Sequence, residues 1–144
     1  MSIPDFNENG VLPEGIYKAT IKEIKEVFCS FGDTTKRNKL FNSFLRYLTE
    51  VKKHNIDYEI YIDGSFVTDK ESPGDIDILL FFDFEYQNEK WLDLISDMKV
   101  RIKFQGIQVL SAFTHSFSRD NTLDFAHDVK DKPNIRKGLI EVIL

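Results

Sequence analysis

The run DGSFVTDKESPGDIDILL, residues 63–80, gathers the residue types on which phosphate and metal chemistry depends. Asp75 and Asp77 are two positions apart. On a strand such positions face the same side, so the two carboxylates project together while Ile76 turns away. Two ionised carboxylates held that close repel each other unless a cation lies between them. Oxygen ligands suit a hard ion, Mg²⁺ (or Mn²⁺), with substrate phosphates completing its shell. Nine residues, Phe66 to Gly74, separate the pair from Gly64-Ser65. A glycine at a strand end lets backbone N–H groups approach a phosphate, and the Ser65 hydroxyl adds a donor. Lys70, inside the loop, is a further candidate phosphate contact. The competing reading is a hairpin with solvated acidic residues. A Gly-Ser, a loop and an Asp-x-Asp between two strand patterns favour the site.

The surrounding elements must bring these groups together. Tyr58, Ile60 and Ile62 alternate with Glu59, Tyr61 and Asp63, predicting a strand, and IDILLFF (76–82) reads as a central strand covered on both faces. If the two pair as neighbours, the Gly-Ser turn and the aspartates share one edge of the sheet. Residues 1–17 carry Pro4, Gly10, Pro13 and Gly15 and read as an ordered arm or loop. Thr20 and Glu23 form a capping box opening a first helix with an Ile21, Ile24, Val27, Phe28 stripe. Leu40, Phe41, Phe44, Leu45, Leu48 and Val51 predict a second helix over 35–54, whose basic residues, Arg37 among them, read as a solvated face. A helix over 88–99, a strand over 106–113, a short helix around 123–129 and a last strand over 139–144 complete the order ααββαβ(α)β. The expected fold is α/β (α+β): a mixed sheet with helices packed on it, in one domain covering 1–144.

Beyond these spacings, GSFVTDKESPGDIDILL resembles the signature of the polymerase-β-like nucleotidyltransferase superfamily: strand, Gly-Ser, loop, Asp-apolar-Asp strand. FNENGVLPEGIY, GSFVT with GDID, and KGLIEVIL further resemble a family of short, stand-alone bacterial proteins of nucleotidyltransferase-like fold. The resemblance implies Gly64 and Ser65 at the triphosphate of an NTP and Asp75 and Asp77 as ligands for two metals. Active superfamily members carry a third carboxylate on a later strand, and GIQVLSAF has only Gln108 and Ser111 as polar residues there. His115, just past that strand, is within reach of the site on this reading; Asp83, about 20 Å further along the strand than the Asp pair, is not. Arg101, Lys103, Arg119 and Arg136-Lys137 are the remaining candidates for phosphate contact.

Two functions follow. One is a Mg-dependent nucleotidyltransferase moving an NMP from an NTP to a protein or nucleic-acid (RNA) hydroxyl. The other is a catalytically degenerate module that binds a nucleotide or a partner protein, as in toxin–antitoxin or phage-defence pairs. Bulk properties narrow the field. With 144 residues, 42% hydrophobic and 30% charged, the chain can bury one core, and 13 Phe supply its bulk. A net charge of −5 argues against general DNA binding, which relies on phosphate neutralisation. The single cysteine, Cys29, reads as a buried thiol. The start lacks a basic, apolar leader and no apolar run is long enough to cross a membrane, so a cytoplasmic location is expected.

Overall fold

The computed structural model describes residues 3–144. It is a mixed α+β fold. The elements are β1 (Ile16–Thr20), α1 (Ile21–Phe28), α2 (Thr34–Lys52), β2 (Tyr58–Asp63), a 3₁₀ turn (Ser65–Val67), β3 (Ile76–Phe82), α3 (Glu89–Ile95), α4 (Asp97–Lys103), β4 (Ile107–Phe113), α5 (Phe117–Ala126), β5 (Asp128–Val129), β6 (Lys132–Arg136) and β7 (Leu139–Ile143). Five strands form one sheet in the order β1-β7-β2-β3-β4, and β5 and β6 make a separate two-stranded sheet. The outer pairs β1–β7 and β3–β4 are parallel, and β2 runs antiparallel to both of its neighbours.

Strand alternation divides the sheet into two faces. Ile60, Ile62, Ile78, Leu80, Ile140 and Val142 belong to the main core with Phe28 of α1, Phe41 and Phe44 of α2 and Trp91 of α3. Tyr61, Leu79, Phe81 and Leu139 form a smaller cluster with Leu123 and Ala126 of α5. The second face is thus covered over only part of its length.

Several expectations are corrected. The expected arm ends at residue 15, because residues 16–20 form an edge strand whose partner β7 lies at the far end of the sequence, and no local pattern announces the pairing. The helix expected over 88–99 is two helices broken at Ser96, which is extended (φ −87°, ψ 110°). Tyr47 donates to the Leu94 carbonyl at 2.7 Å at the end of α3, and the Asp97 side chain, just past the break, accepts from the Val109 N–H of β4 at 3.0 Å. The helix expected at 123–129 starts six residues earlier, where Ser116 caps the backbone N–H of Arg119, and ends at Ala126. Cys29 is buried as expected, and burial pushes its thiol up.

Arg37 is the largest departure. Instead of lying on a solvated face it has no exposed surface. Its guanidinium donates to the carbonyls of Phe28 (3.0 Å), Phe66 (2.7 Å), Thr68 (2.9 Å) and Lys70 (2.5 Å), and sits 4.2 Å from the centre of the Phe31 ring. Three of those carbonyls belong to the loop between β2 and β3. The same loop takes the Asp33 N–H on Glu71 O (2.8 Å), and its Asp69 N–H donates to Gly10 O (2.9 Å) in the N-terminal arm. A charged donor to buried carbonyls is worth about 1.5–3 kcal/mol per bond, and removing it leaves those acceptors unsatisfied. Arg37→Met should therefore lower the unfolding free energy by about 3 kcal/mol or more, measured by urea denaturation. A loss below about 1 kcal/mol would show that the loop holds itself.

Candidate functional site

Antiparallel pairing of β2 with β3 sets Asp63 opposite Asp77, and parallel pairing of β3 with β4 sets Asp77 beside Gln108. Residues in register on adjacent strands face the same side, so the three side chains form one polar row across the sheet. Asp75, two positions before Asp77, joins them: Gln108 Nε2 donates to its Oδ2 at 2.5 Å. Asp63 Oδ1 lies 2.7 Å from Lys137 Nζ, both side chains largely buried. That contact pairs charges without hydrogen-bond directionality.

Asp77 is the constrained member. Its Oδ1 is buried without a hydrogen-bond partner. Burial, then Asp75 and Asp63, push its carboxyl up to about 6, and Lys137 and Arg101 pull the other way. Gly64 lies against its other oxygen: a Cβ there would fall 2.3 Å from Asp77 Oδ2. Gly64 also has φ 79° and ψ −167°, a backbone region essentially reserved for glycine. Sequence thus dictates the local shape twice, by conformation and by space. Ser65 then opens the 3₁₀ turn, its carbonyl accepting from the Thr68 N–H (3.2 Å) and hydroxyl (2.7 Å). The Ser65 hydroxyl itself has no hydrogen bond among the described residues.

Above the row opens a cleft of about 960 Å³. Asp63, Asp77, Gln108 and Lys137 line one end of it, and the β5–β6 hairpin and α5 wall the rest. Lys137 is fixed through its backbone: its N–H donates to His127 O at 2.7 Å, and His127 Nδ1 donates to Lys137 O at 2.7 Å. Gly64, Ser65, Asp75 and Lys70 are not in the lining. Gly64 and Asp75 touch lining residues, whereas Lys70 rides on the loop clamped by Arg37.

His115 is not brought to the site. It follows Phe113, whose register partner is Phe82, at the opposite end of β3 from Asp77. Five strand residues from Gln108 to Phe113 span about 17 Å. It lies instead near Glu59. Most other basic candidates are already engaged: Arg101 with Asp97, Lys103 with Glu50, Arg119 with Glu59, and Arg136 with Glu14, Asp124 and Asp128. Sequence reasoning missed Asp63 as a site carboxylate, although its place as the last alternating residue before Gly64 marks it. It also missed Lys130 and Lys132, which line the cleft and have no ion-pair partner among the described residues.

The chain belongs to a family of unknown function (DUF6932). The family profile matches residues 4–143. Comparison with curated proteins and with solved structures returns no match to this DUF6932 chain. Among the described residues no group of three or more His, Cys, Asp or Glu is placed to hold a metal ion, and no helix is long and apolar enough to cross a membrane.

Two outcomes test this geometry. Gly64→Ala should cost at least about 2 kcal/mol of stability, the strain of that backbone region plus the clash with Asp77; thermal and urea unfolding that match the parent would contradict the close approach. The second concerns pH in chelator-treated protein. Asp77 titrates near 6 when folded, against about 4 in an unfolded chain. The folded state therefore retains a proton that the unfolded chain gives up, so this contribution is complete below about pH 4 and is lost as pH rises through about 6. Asp77→Asn should be more stable than the parent above pH 7, by at most about 3 kcal/mol at 1.36 kcal/mol per pH unit. The gap should close by pH 4. A gap independent of pH would refute the assignment.

Proposed function

We propose that the cleft binds a nucleoside triphosphate with Mg²⁺ or Mn²⁺ and supports transfer of its NMP to a hydroxyl of a protein or RNA, the hydroxyl oxygen bonding to the α-phosphorus as pyrophosphate leaves and its proton passing to solvent. The observation that carries this reading is the Asp77 carboxylate. One of its oxygens is buried with no hydrogen-bond partner among the described residues, and burial, then Asp75 and Asp63, pushes the carboxyl up. A buried carboxylate beside two others is an arrangement that a divalent cation would stabilise. Magnesium is commonly held by one or two carboxylates, with substrate phosphates and water filling the remaining positions, so Asp75 and Asp77 suffice as protein ligands. Bound there, the ion would neutralise charge on the phosphates and on the leaving group.

The remaining work falls to the chain. Lys130 and Lys132 are cations with no ion-pair partner among the described residues, line the same cleft, and suit the outer phosphates. Lys137 offsets Asp63, so the acidic row does not repel an anionic ligand with its full charge. Gly64 keeps the Asp77 carboxylate close to the backbone of the Gly-Ser turn, whose Ser65 hydroxyl, without a hydrogen bond among the described residues, is a donor for phosphate oxygen. Positioning and charge neutralisation supply most of the catalysis in phosphoryl-type transfer.

One observation favours a second reading, a nucleotide- or partner-binding module of the toxin–antitoxin or phage-defence kind without catalysis. The β4 position in register with Asp77 is an amide, Gln108, and it is tied to Asp75. The two readings separate in one series. Calorimetry with each NTP in Mg²⁺ or Mn²⁺ should give binding that weakens at least tenfold in Asp77→Asn. Label from an α-phosphate-tagged NTP should pass to a protein or RNA acceptor only with the parent. Binding without any transfer selects the module. A folded parent that binds no NTP at millimolar concentration with either metal eliminates both.

A further inference from the structure

The cleft changes character along the strands that floor it. Asp77 and Leu79 are two positions apart on β3, as are Gln108 and Leu110 on β4, and all four line it. Leu79 and Leu110 are themselves in register, so an apolar row follows the polar row at the next same-face position, about 7 Å on. α5 packs Leu123 and Ala126 onto Tyr61 and Leu79 but leaves the edge strand uncovered, and Leu110 stays 53% exposed. Phe125, between the two buried residues of α5, does not join them. It lines the cleft instead and is 72% exposed. Thr122, one turn earlier on α5, also lines it, and its hydroxyl has no hydrogen bond among the described residues.

We infer that this end of the cleft is a nucleobase subsite, in which Phe125 and Leu110 cover the flat faces of the base and Thr122 meets its polar edge. The inference rests on the nucleotide reading above and adds to it the substrate class and the residues that hold it. A ligand filling such a cleft needs an anionic, cation-binding head at the Asp77–Lys130–Lys132 end. It also needs a planar body with apolar faces and a polar rim at the Phe125 end. A peptide or an acyl chain matches the apolar end alone; a nucleoside triphosphate matches both, and a cleft of this size accommodates it. A large aromatic exposed inside a concavity, beside a free hydroxyl, is the pattern of a stacking platform rather than of unfinished core. The base wall then comes from α5 and the edge strand.

Inorganic tripolyphosphate separates the two halves of the cleft, because it carries the phosphates and no base. Calorimetry on the full chain in Mg²⁺ should give tighter binding of ATP or GTP than of tripolyphosphate. In Phe125→Ala the ratio of the two affinities should fall about five- to a hundredfold. Phe125→Trp should keep the ratio, and its indole fluorescence should change on adding NTP and not on adding tripolyphosphate. Equal affinities in the parent, or an unchanged ratio in Phe125→Ala, would overturn the base subsite while leaving the phosphate and metal reading intact. If neither ligand binds, both readings fall. Phe125 is a surface residue, so an unchanged urea midpoint in Phe125→Ala separates lost stacking from lost fold.

Discussion

A single guanidinium decides where the Gly-Ser turn can go. Arg37 is fully buried on α2 and spends four hydrogen bonds on backbone carbonyls, three of them in the loop that joins β2 to β3. The 3₁₀ turn inside the loop takes the Ser65 carbonyl but not those of Phe66, Thr68 and Lys70, and burying them unpaired would be costly. The arginine replaces a ladder of backbone bonds by one planar fork, which a lysine's point charge could not imitate. With the loop fixed to α2, Gly64 and Asp75 stand at the same end of adjacent strands. Asp63 and Asp77 then face each other across an antiparallel pair.

That placement creates an electrostatic conflict and answers only part of it. Three aspartates share one sheet edge, and one lysine, Lys137, is supplied against them. Lys137 comes from the segment between the hairpin and β7 and is held there by reciprocal bonds with His127, so its position is as deliberate as theirs. Gln108 adds two donors without adding charge. The result is a row with its charge only partly offset, which is a poor way to stabilise a fold. Sites that hold ions or anionic ligands commonly carry such uncompensated charge.

Much of the frame was legible because it is written locally. The Thr20–Glu23 box, the α2 stripe and the alternation of β2 announce themselves within a few residues, and all three appear at the expected places. Asp75, Asp77 and Gly64 were legible as a group because one short loop connects them. What was not legible depends on contacts distant in sequence. Arg37 is a buried clamp only because residues 66–70 return to it, and from the helical pattern alone it is one more charge near other charges. β1 is an edge strand whose alternation is mostly exposed, and its neighbour lies more than a hundred positions away. Lys130 and Lys132 sit in a segment whose periodicity is helical before the chain reverses at Asp131, a non-glycine residue with φ 63°.

The strand order also bears on how the molecule assembles. β7 lies between β1 and β2, and β1 has no other neighbour in the sheet. The β2-β3-β4 portion can close from residues 58–113 alone, but β1 stays unpaired, and β2 keeps an open edge, until residues 139–143 arrive. Loop closure over that span is the slowest kind of contact to form. Lys137 reaches the aspartates in the same step. Completion of the sheet and compensation of the acidic row thus depend on one short segment, residues 137–143, which joins β1 to β2 and carries the lysine that meets Asp63.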